Sequence, residues 1–556
     1  MTPPQTRSAP RITLPGWASG GGAARAWSRL NTAKPISRSE LALAGALLGL
    51  LGIAVFGSHV LDGGFYYDDW EAAATAQSAA DPGIVGVLGA MLDPDVFVGR
   101  PGVSVLLALT HEVFGIHMGF HLATALAVGI FVAFSFYALL RTLGLEPVHA
   151  GAIAALVLVF PWADATKLWA SLGLGGVAIA SCLWGAVVAL RAFQARGRRA
   201  LVLHVAATVL FAVSVVVYEA TAPFVLLSVL LYAYRFSWRR ALRRWPADVA
   251  VVAGGLMVVL LYGPRTVYSL ADDISHAARM ADQAVALLGR TIAPFATPSS
   301  LLVLAVVVAV LLAGIARLRT IAPEDRAPLR RWLLVCAAAV VAIAAGYVMF
   351  VPSEGWYLPL QPGHGNRTNA LASLGLVALA YGLVMVVAAL LMRDRGRQAA
   401  CGAIVAALIA VGYVVRVDDD KEQWQRAFEA QQGVLAGVKR ALPNPSPNAH
   451  ILTFGHPAAS ALNVPVFVDR GDLTGALQVA YGESSLNGAP VYQGARLSCG
   501  KRSVILTWYE NVSIHPYASA IFVEPATGRV TPVRHRRMCR AAVATFVPGP
   551  SLIPAA

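Results

Sequence analysis

Charge is what this sequence has least of. Asp, Glu, Lys and Arg make up 13% of its 556 residues, whereas 57% are hydrophobic. Soluble globular chains carry about twice that share of charge. With a mean hydropathy of +0.62, the composition excludes an ordinary water-soluble fold and points to a chain that crosses a bilayer repeatedly. Lysine occurs only at positions 34, 167, 421, 439 and 501. That arginine bias, with the excess of Ala, Gly and Val, suggests a GC-rich bacterial genome. Cysteine is limited to five residues. Cys182, Cys336 and Cys401 lie in apolar runs and read as inert core residues. Cys499 and Cys539 fall in the polar C-terminal part, where an oxidising space favours a disulfide between them. No glycine-rich phosphate loop, CxxC pair or HExxH motif is present, so nucleotide, thiol-redox and zinc-protease chemistries lack their usual carriers.

Long apolar runs are what the chain has in abundance. A membrane helix needs about 20 apolar residues. Candidates lie at 41–60, 121–140, 150–162, 169–190, 201–218, 222–234, 249–262, 301–315, 332–350, 371–391 and 402–415. The formal net charge of +14 does not argue for nucleic acid, because most cations sit in short clusters between these runs. Every second connection is basic: Arg141, the stretch from Arg191, that from Arg235, that from Arg317 and that from Arg393. The positive-inside rule then sets the N-terminus in the cytoplasm and the C-terminus outside. Residues 1–39 contain no apolar signal-peptide core and read as a disordered cytoplasmic tail.

The expected fold is therefore a polytopic α-helical membrane protein with about eleven transmembrane helices over 40–416. A long first outer loop would span 62–119, and a small extracytoplasmic α/β domain 417–556. Within that loop "VSVLLALTHEVF" has the length of a re-entrant or interfacial helix. In the second long outer loop, Val267, Leu270, Ile274, Ala277, Ala281, Val285 and Leu288 form a helical stripe suited to a membrane surface. In the last part "HILTFG", "VPVFVD", "RSVILTWYE" and "SAIFVEP" read as strands and "DLTGALQVAYG" as a helix.

The spans carry no ionisable residues near their centres, where ion-coupled transporters usually keep them. Such residues gather at the outer span ends instead: Asp68, Asp69, Arg100, Asp164, Lys167, Glu219, Arg265, His364 and Arg367. "DDWE" also reads as a capping box, with Asp68 as N-cap and Glu71 three residues on. Asp164 also reads as a helix start paired with Lys167, and Arg100 as an interfacial anchor. His111, Glu112, His117 and His121 fit no standard metal-ligand spacing.

The order of "FYYDDW", "GRPGVSVLLALTHEVFGIHMGFHLATAL", "FPWADATKLWAS" and "VYEATAP" along these spans resembles the GT-C superfamily of integral-membrane glycosyltransferases. That class includes protein O-mannosyltransferases and bacterial arabinosyltransferases. The resemblance covers residues 41–222 by motif and the later spans by architecture. It implies a polyprenyl-phosphate sugar donor, a glycan, lipid or protein acceptor, and reaction at the outer face of a bacterial plasma membrane. Asp68 or Asp69 would be the catalytic carboxylate. Arg100, Arg265, His364 and Arg367 would hold the donor phosphate, and Asp164, Lys167 and Glu219 would contact substrate. No cofactor is implied, and a divalent metal requirement stays open. Two adjacent side chains diverge by about 100° on a helix, so they would divide the roles: Asp68 as base, Asp69 orienting the loop. A transporter or lipid flippase would need a polar path that the spans lack. A non-catalytic scaffold displaying the C-terminal domain would need neither the carboxylates nor the outer arginines.

Overall fold

The computed structural model describes residues 36–551 apart from 82, 94–99, 263–268, 323–325, 354, 356, 509 and 510. Its first part is helical, in chain order α1 (Arg38–Asp62), α2 (Asp68–Gln77), α3 (Ile84–Met91), α4 (Pro101–Phe114), α5 (Met118–Thr142) and α6 (Pro147–Leu158). Then come α7 (Ala165–Leu168), α8 (Ala170–Leu174), α9 (Gly176–Ala192), α10 (Gly197–Val217), α11 (Ala222–Arg235) and α12 (Trp238–Tyr262). The series continues through α13 (Leu270–Ile292), α14 (Ser300–Thr320), α15 (Arg326–Val348), α16 (Ala372–Leu391) and α17 (Arg395–Ala441).

Among the described residues nine helices are long and apolar enough to cross a membrane, with α8 and α9 forming one of them across a break at Gly175. The chain is thus a membrane-embedded helical protein. The expected spans at 150–162 and 222–234 become the shorter helices α6 and α11, of 12 and 14 residues. Both meet a Pro-containing or extended turn before reaching full span length. The core is organised around α16, of whose apolar window 72% is buried, against 11% for the peripheral α14. The outward apolar surface of α14 would be an aggregation liability in water and is satisfied by lipid. The amphipathic α13 leaves Leu270 and Ile274 exposed and turns His276, Met280 and Leu287 inward.

Residues 417–556 were expected to separate from the bundle at 416/417, yet α17 runs through that point as one 47-residue helix. At 1.5 Å per residue it is about 70 Å long, enough to cross a bilayer and project well beyond it. The composition changes at Asp418, but the hydrogen-bond ladder does not. Beyond it lie β1 (His450–Thr453), β2 (Ala459–Ala461), β3 (Val464–Pro465), α18 (Arg470–Tyr481), β4 (Asn487–Pro490) and β5 (Arg496–Cys499). The chain ends in β6 (Ser503–Trp508), β7 (Asn511–Pro516), β8 (Ala520–Glu524), β9 (Arg529–Pro532) and α19 (Arg536–Val543).

A four-stranded sheet in the order β4-β1-β8-β9 pairs β1 in parallel with both β4 and β8. A separate antiparallel sheet has the order β5-β6-β7. Side chains alternate across a strand, and here the alternation separates two layers. Ile451 and Val523 face the core shared with α17 and α18, whereas Leu452 and Phe522 face Val504, Leu506 and Cys539. Cys499 and Cys539 are joined as a disulfide, their Cα atoms 5.9 Å apart.

This C-terminal part is seated on the first long loop. Gly475 of α18 lies so close to α2 that a Cβ would stand 2.4 Å from the Trp70 carbonyl oxygen, so only glycine permits the approach. The Tyr66 hydroxyl donates to the Trp424 carbonyl (2.8 Å), and Trp70 Nε1 donates to Gln431 Oε1 (3.2 Å). Both partners belong to α17, so a helix more than 350 residues downstream fixes the loop that carries Asp68.

Candidate active site

The start of α2 is strained. Tyr67 is its N-cap, at φ +49° and ψ −120°, a region that bulky residues avoid. Packing holds it there: its ring stacks on His364 at 5.9 Å and meets Trp169 edge-on at 5.7 Å. Asp68 is the first helical residue and caps nothing, so the capping box readable in "DDWE" does not form. With Tyr66 and Tyr67 pinned by distant residues, the helix starts one residue earlier than it would with Asp68 as its N-cap.

The two adjacent aspartates have separate surroundings. Asp69 is buried, and its carboxylate accepts from the backbone N–H of Tyr66 (3.1 Å) and of Ser171 (2.8 Å). It ties the loop to α8. Asp68 is half-buried and opens on a cavity of about 390 Å³, within the usual size of a small-molecule site. Glu71, Arg100, Lys167, Glu219 and Arg367 line the same cavity. Apolar side chains share the lining, among them Val103 and Leu107 of α4, Val132 of α5, Val157 of α6 and Ile179 of α9.

Burial lifts the Asp68 carboxyl to about 6. Arg367 and Arg100 oppose the rise, and the Asp469 carboxylate adds to it. What Asp68 exposes, it exposes to the cavity rather than to bulk water, so the field of its neighbours is weakly screened. Burial also raises Glu71 to about 7, with Asp68 and Asp469 contributing, and raises Asp69 to about 7 against the hydrogen bonds it accepts. Three carboxyl groups in one helical turn thus have different environments and different work.

Arg100 is set by its sequence. Pro101 occupies the first turn of α4, and Arg100 before it is kept out of the helical region, at φ −132° and ψ +70°, since proline disfavours that region for its predecessor. Gly102 then lets α4 abut the end of α10, since a Cβ there would lie 2.6 Å from Val217 Cα. That approach puts Arg100 Nη2 3.2 Å from Glu219 Oε1 and its guanidinium 5.0 Å above the Tyr218 ring. Burial works against the Arg100 charge, but Glu219 and the Tyr218 and Tyr357 hydroxyls outweigh it and hold its pKa above the usual value. Arg367 donates from Nη2 to the Tyr357 hydroxyl (2.7 Å) and lies over the Tyr357 and Trp169 rings, at 5.2 and 5.7 Å. Cation–π contact keeps such a guanidinium flat and oriented.

The other expected site residues divide. Lys167 lines the cavity and donates from Nζ to the Ala163 carbonyl (3.1 Å). Asp164 lies behind the wall, 1% exposed, accepting from Asn366 Nδ2 at 2.6 Å. His364 turns away toward the C-terminal part, its Nδ1 and backbone N both within 2.9 Å of the Asn463 carbonyl; burial and Arg367 lower it to about 4. Arg265 lies outside the described residues. The His111 and His121 rings lie 4.4 Å apart, tilted by 46°, and spend ring nitrogens on the Leu107 and Gly115 carbonyls. No group of three or more His, Cys, Asp or Glu suited to a metal occurs among the described residues.

Sequence reasoning missed several participants. Asn366 and Asn369 clamp the 161–168 turn through Asp164, the Ala165 N–H and the Trp162 carbonyl. Their spacing in "GNRTN", three apart in a glycine-flanked segment, was the available signal. Tyr357 and Tyr218 were readable only as interfacial aromatics. Compared with protein-family models the chain matches none, and no curated protein matches it either.

Proposed function

We propose that this protein is a glycosyltransferase that moves a sugar from a polyprenyl-phosphate carrier to an acceptor hydroxyl, with the reaction at the outer face of a bacterial plasma membrane. One observation carries this reading: Asp68, Arg100 and Arg367 line a single cavity whose lining also includes apolar side chains of the helices α4, α5, α6 and α9. Such a cavity suits a ligand that joins an anion to a hydrocarbon chain. Arg100 and Arg367, already fixed over aromatic rings, would neutralise the phosphate. Phosphate is a good leaving group, so the protein need not supply an acid to it.

The acceptor hydroxyl is a weak nucleophile and needs a base within hydrogen-bond reach. Asp68, with its pKa near 6, is ionised at neutral pH yet close enough to it to accept a proton as the new bond forms. In the reaction the acceptor oxygen bonds the anomeric carbon and the carbon–phosphate oxygen bond breaks. The electron pair leaves with the polyprenyl phosphate, and the hydroxyl proton passes to Asp68. Displacement in one step inverts the anomeric configuration. Glu219 keeps Arg100 in place, and Asp69 holds the loop. The alternating basic connections further support a cytoplasmic N-terminus and an extracytoplasmic C-terminal part.

The test is turnover by purified protein given labelled polyprenyl-phosphate sugar and a crude envelope acceptor fraction. Release of polyprenyl phosphate with label entering the acceptor is expected. Intact donor, under conditions in which the protein binds it, would refute the reading.

A further inference from the structure

The chain's basic clusters mostly sit between apolar runs, but one set does not. Between Arg496 and Arg540 there are eight Arg or Lys residues against two acids, Glu510 and Glu524. Arg496, Lys501, Arg502, Arg536, Arg537 and Arg540 are all exposed. The fold gathers Lys501, Arg502, Arg536, Arg537 and Arg540 about one disulfide, while Arg496 lies on the outer face of β5. The Cys499–Cys539 disulfide staples β5 to α19, and Arg536 Nε donates to the Cys499 carbonyl at 3.1 Å. The turn carrying Lys501 and Arg502 is held by Tyr517, whose N–H donates to the Arg502 carbonyl and whose hydroxyl donates to that of Gly500. Among the described residues no ion pair engages any of these six cations.

Local stability does not explain the arrangement. Arg536 and Arg537 open α19, and its first turn holds no acid, whereas a helix N-terminus disfavours cations. Like charges so placed repel one another unless an anion covers them.

We propose that this stapled face is a docking surface for an anionic polymer carrying regularly spaced phosphate or carboxylate groups. Its place in the layers favours a polymer over a bilayer. The face belongs to the layer of β5–β7 and α19, on the side of the central sheet opposite to α17 and α18, which carry the contacts to the membrane body. The recognition is by charge: no exposed large aromatic accompanies these cations among the described residues, so the stacking platform that single-stranded nucleic acids use is missing. The proposal concerns binding alone and stands apart from the transfer reaction.

The test uses the full chain in phosphatidylcholine nanodiscs, titrated with labelled long-chain polyphosphate and, separately, with labelled polygalacturonate. The two polymers distinguish phosphate from carboxylate recognition. Vesicles containing phosphatidylglycerol form the bilayer arm. The variant Lys501→Gln/Arg502→Gln/Arg536→Gln/Arg537→Gln/Arg540→Gln should bind the polymer at least about tenfold more weakly, and parental binding should weaken steeply with salt. The control Arg239→Gln/Arg240→Gln/Arg243→Gln, on α12, should bind as the parent does. Non-reducing mass mapping of the disulfide confirms that the variant is folded; if it is not, Arg536→Gln/Arg537→Gln is read in its place. Parental affinity in the variant, equal loss in the control, or binding only to the anionic vesicles would overturn the proposal.

Discussion

Two turns in this molecule follow an apolar helix and carry carboxylates, and they have been put to different uses. The turn after α1 presents Asp68 to the cavity, half-buried, with Arg100 and Arg367 on the same lining. The turn after α6 carries Asp164, which is enclosed and donated to by Asn366. By residue type and by position at a span end the two are alike. What separates them is access to the cavity, which Asp68 has and the enclosed Asp164 lacks. A carboxylate that accepts short hydrogen bonds from its own scaffold is a structural strut. One left facing a cavity, with cations nearby, is available to a ligand. Asp69 falls on the structural side of the same line, only one residue from Asp68.

The comparison is broken most severely if Asp68 can be neutralised without consequence. Asp68→Asn keeps the shape and should lower sugar transfer by roughly a hundredfold or more while donor binding is retained, read as initial rate and donor affinity on one preparation. Next in size is the phosphate side. Arg367→Ala or Arg100→Ala should weaken donor binding by about tenfold, the worth of one charge-assisted hydrogen bond, with the protein still inserted. Unchanged affinity in both variants would mean that the arginines only brace Tyr357 and Glu219. The smallest effect on transfer belongs to the strut. Asp164→Ala should lower stability by about 1–3 kcal/mol, because it leaves Asn366 short of a partner, yet keep transfer per folded molecule within about threefold of the parent. A larger catalytic loss there would erase the distinction between the two turns.

How far the sequence revealed this depends on the range of the interaction concerned. Apolar length and local signals carried well: the run 41–60 lies inside α1, "HILTFG" contains β1, and "DLTGALQVAYG" lies within α18 or at its C-cap. The α18 start shows the limit. Its N-cap is Asp469, which forms a capping box with Asp472, whereas the similar "DDWE" signal at Asp68 produced none. The chain before Asp469 is held too, Val466 by Gln431 and Ala458 and Val468 by Tyr492, yet it leaves Asp469 at the N-cap; before Asp68, Trp424 on α17 holds Tyr66, and Tyr67 becomes the N-cap instead. No local pattern could reveal that. "VPVFVD" forms a strand over only Val464–Pro465, with the Val466 N–H adding one bond to the Ala458 carbonyl. Among the site residues, Asp68, Arg100, Lys167, Glu219 and Arg367 do share one cavity. His364 and Asp164 lay equally close to the span ends in sequence, and only their partners Asn463 and Asn366 draw them away.

The central claim is that Asp68 takes the acceptor's proton, and its pH dependence tests this most directly. A carboxyl raised to about 6 is ionised above that pH and protonated below it. Single-turnover transfer at saturating donor should therefore fall about tenfold per unit as pH drops below 6. In Asp68→Asn the residual rate should be low and lack that acidic limb. A variant that transfers at the parental rate, or that keeps the limb near 6, would contradict the account.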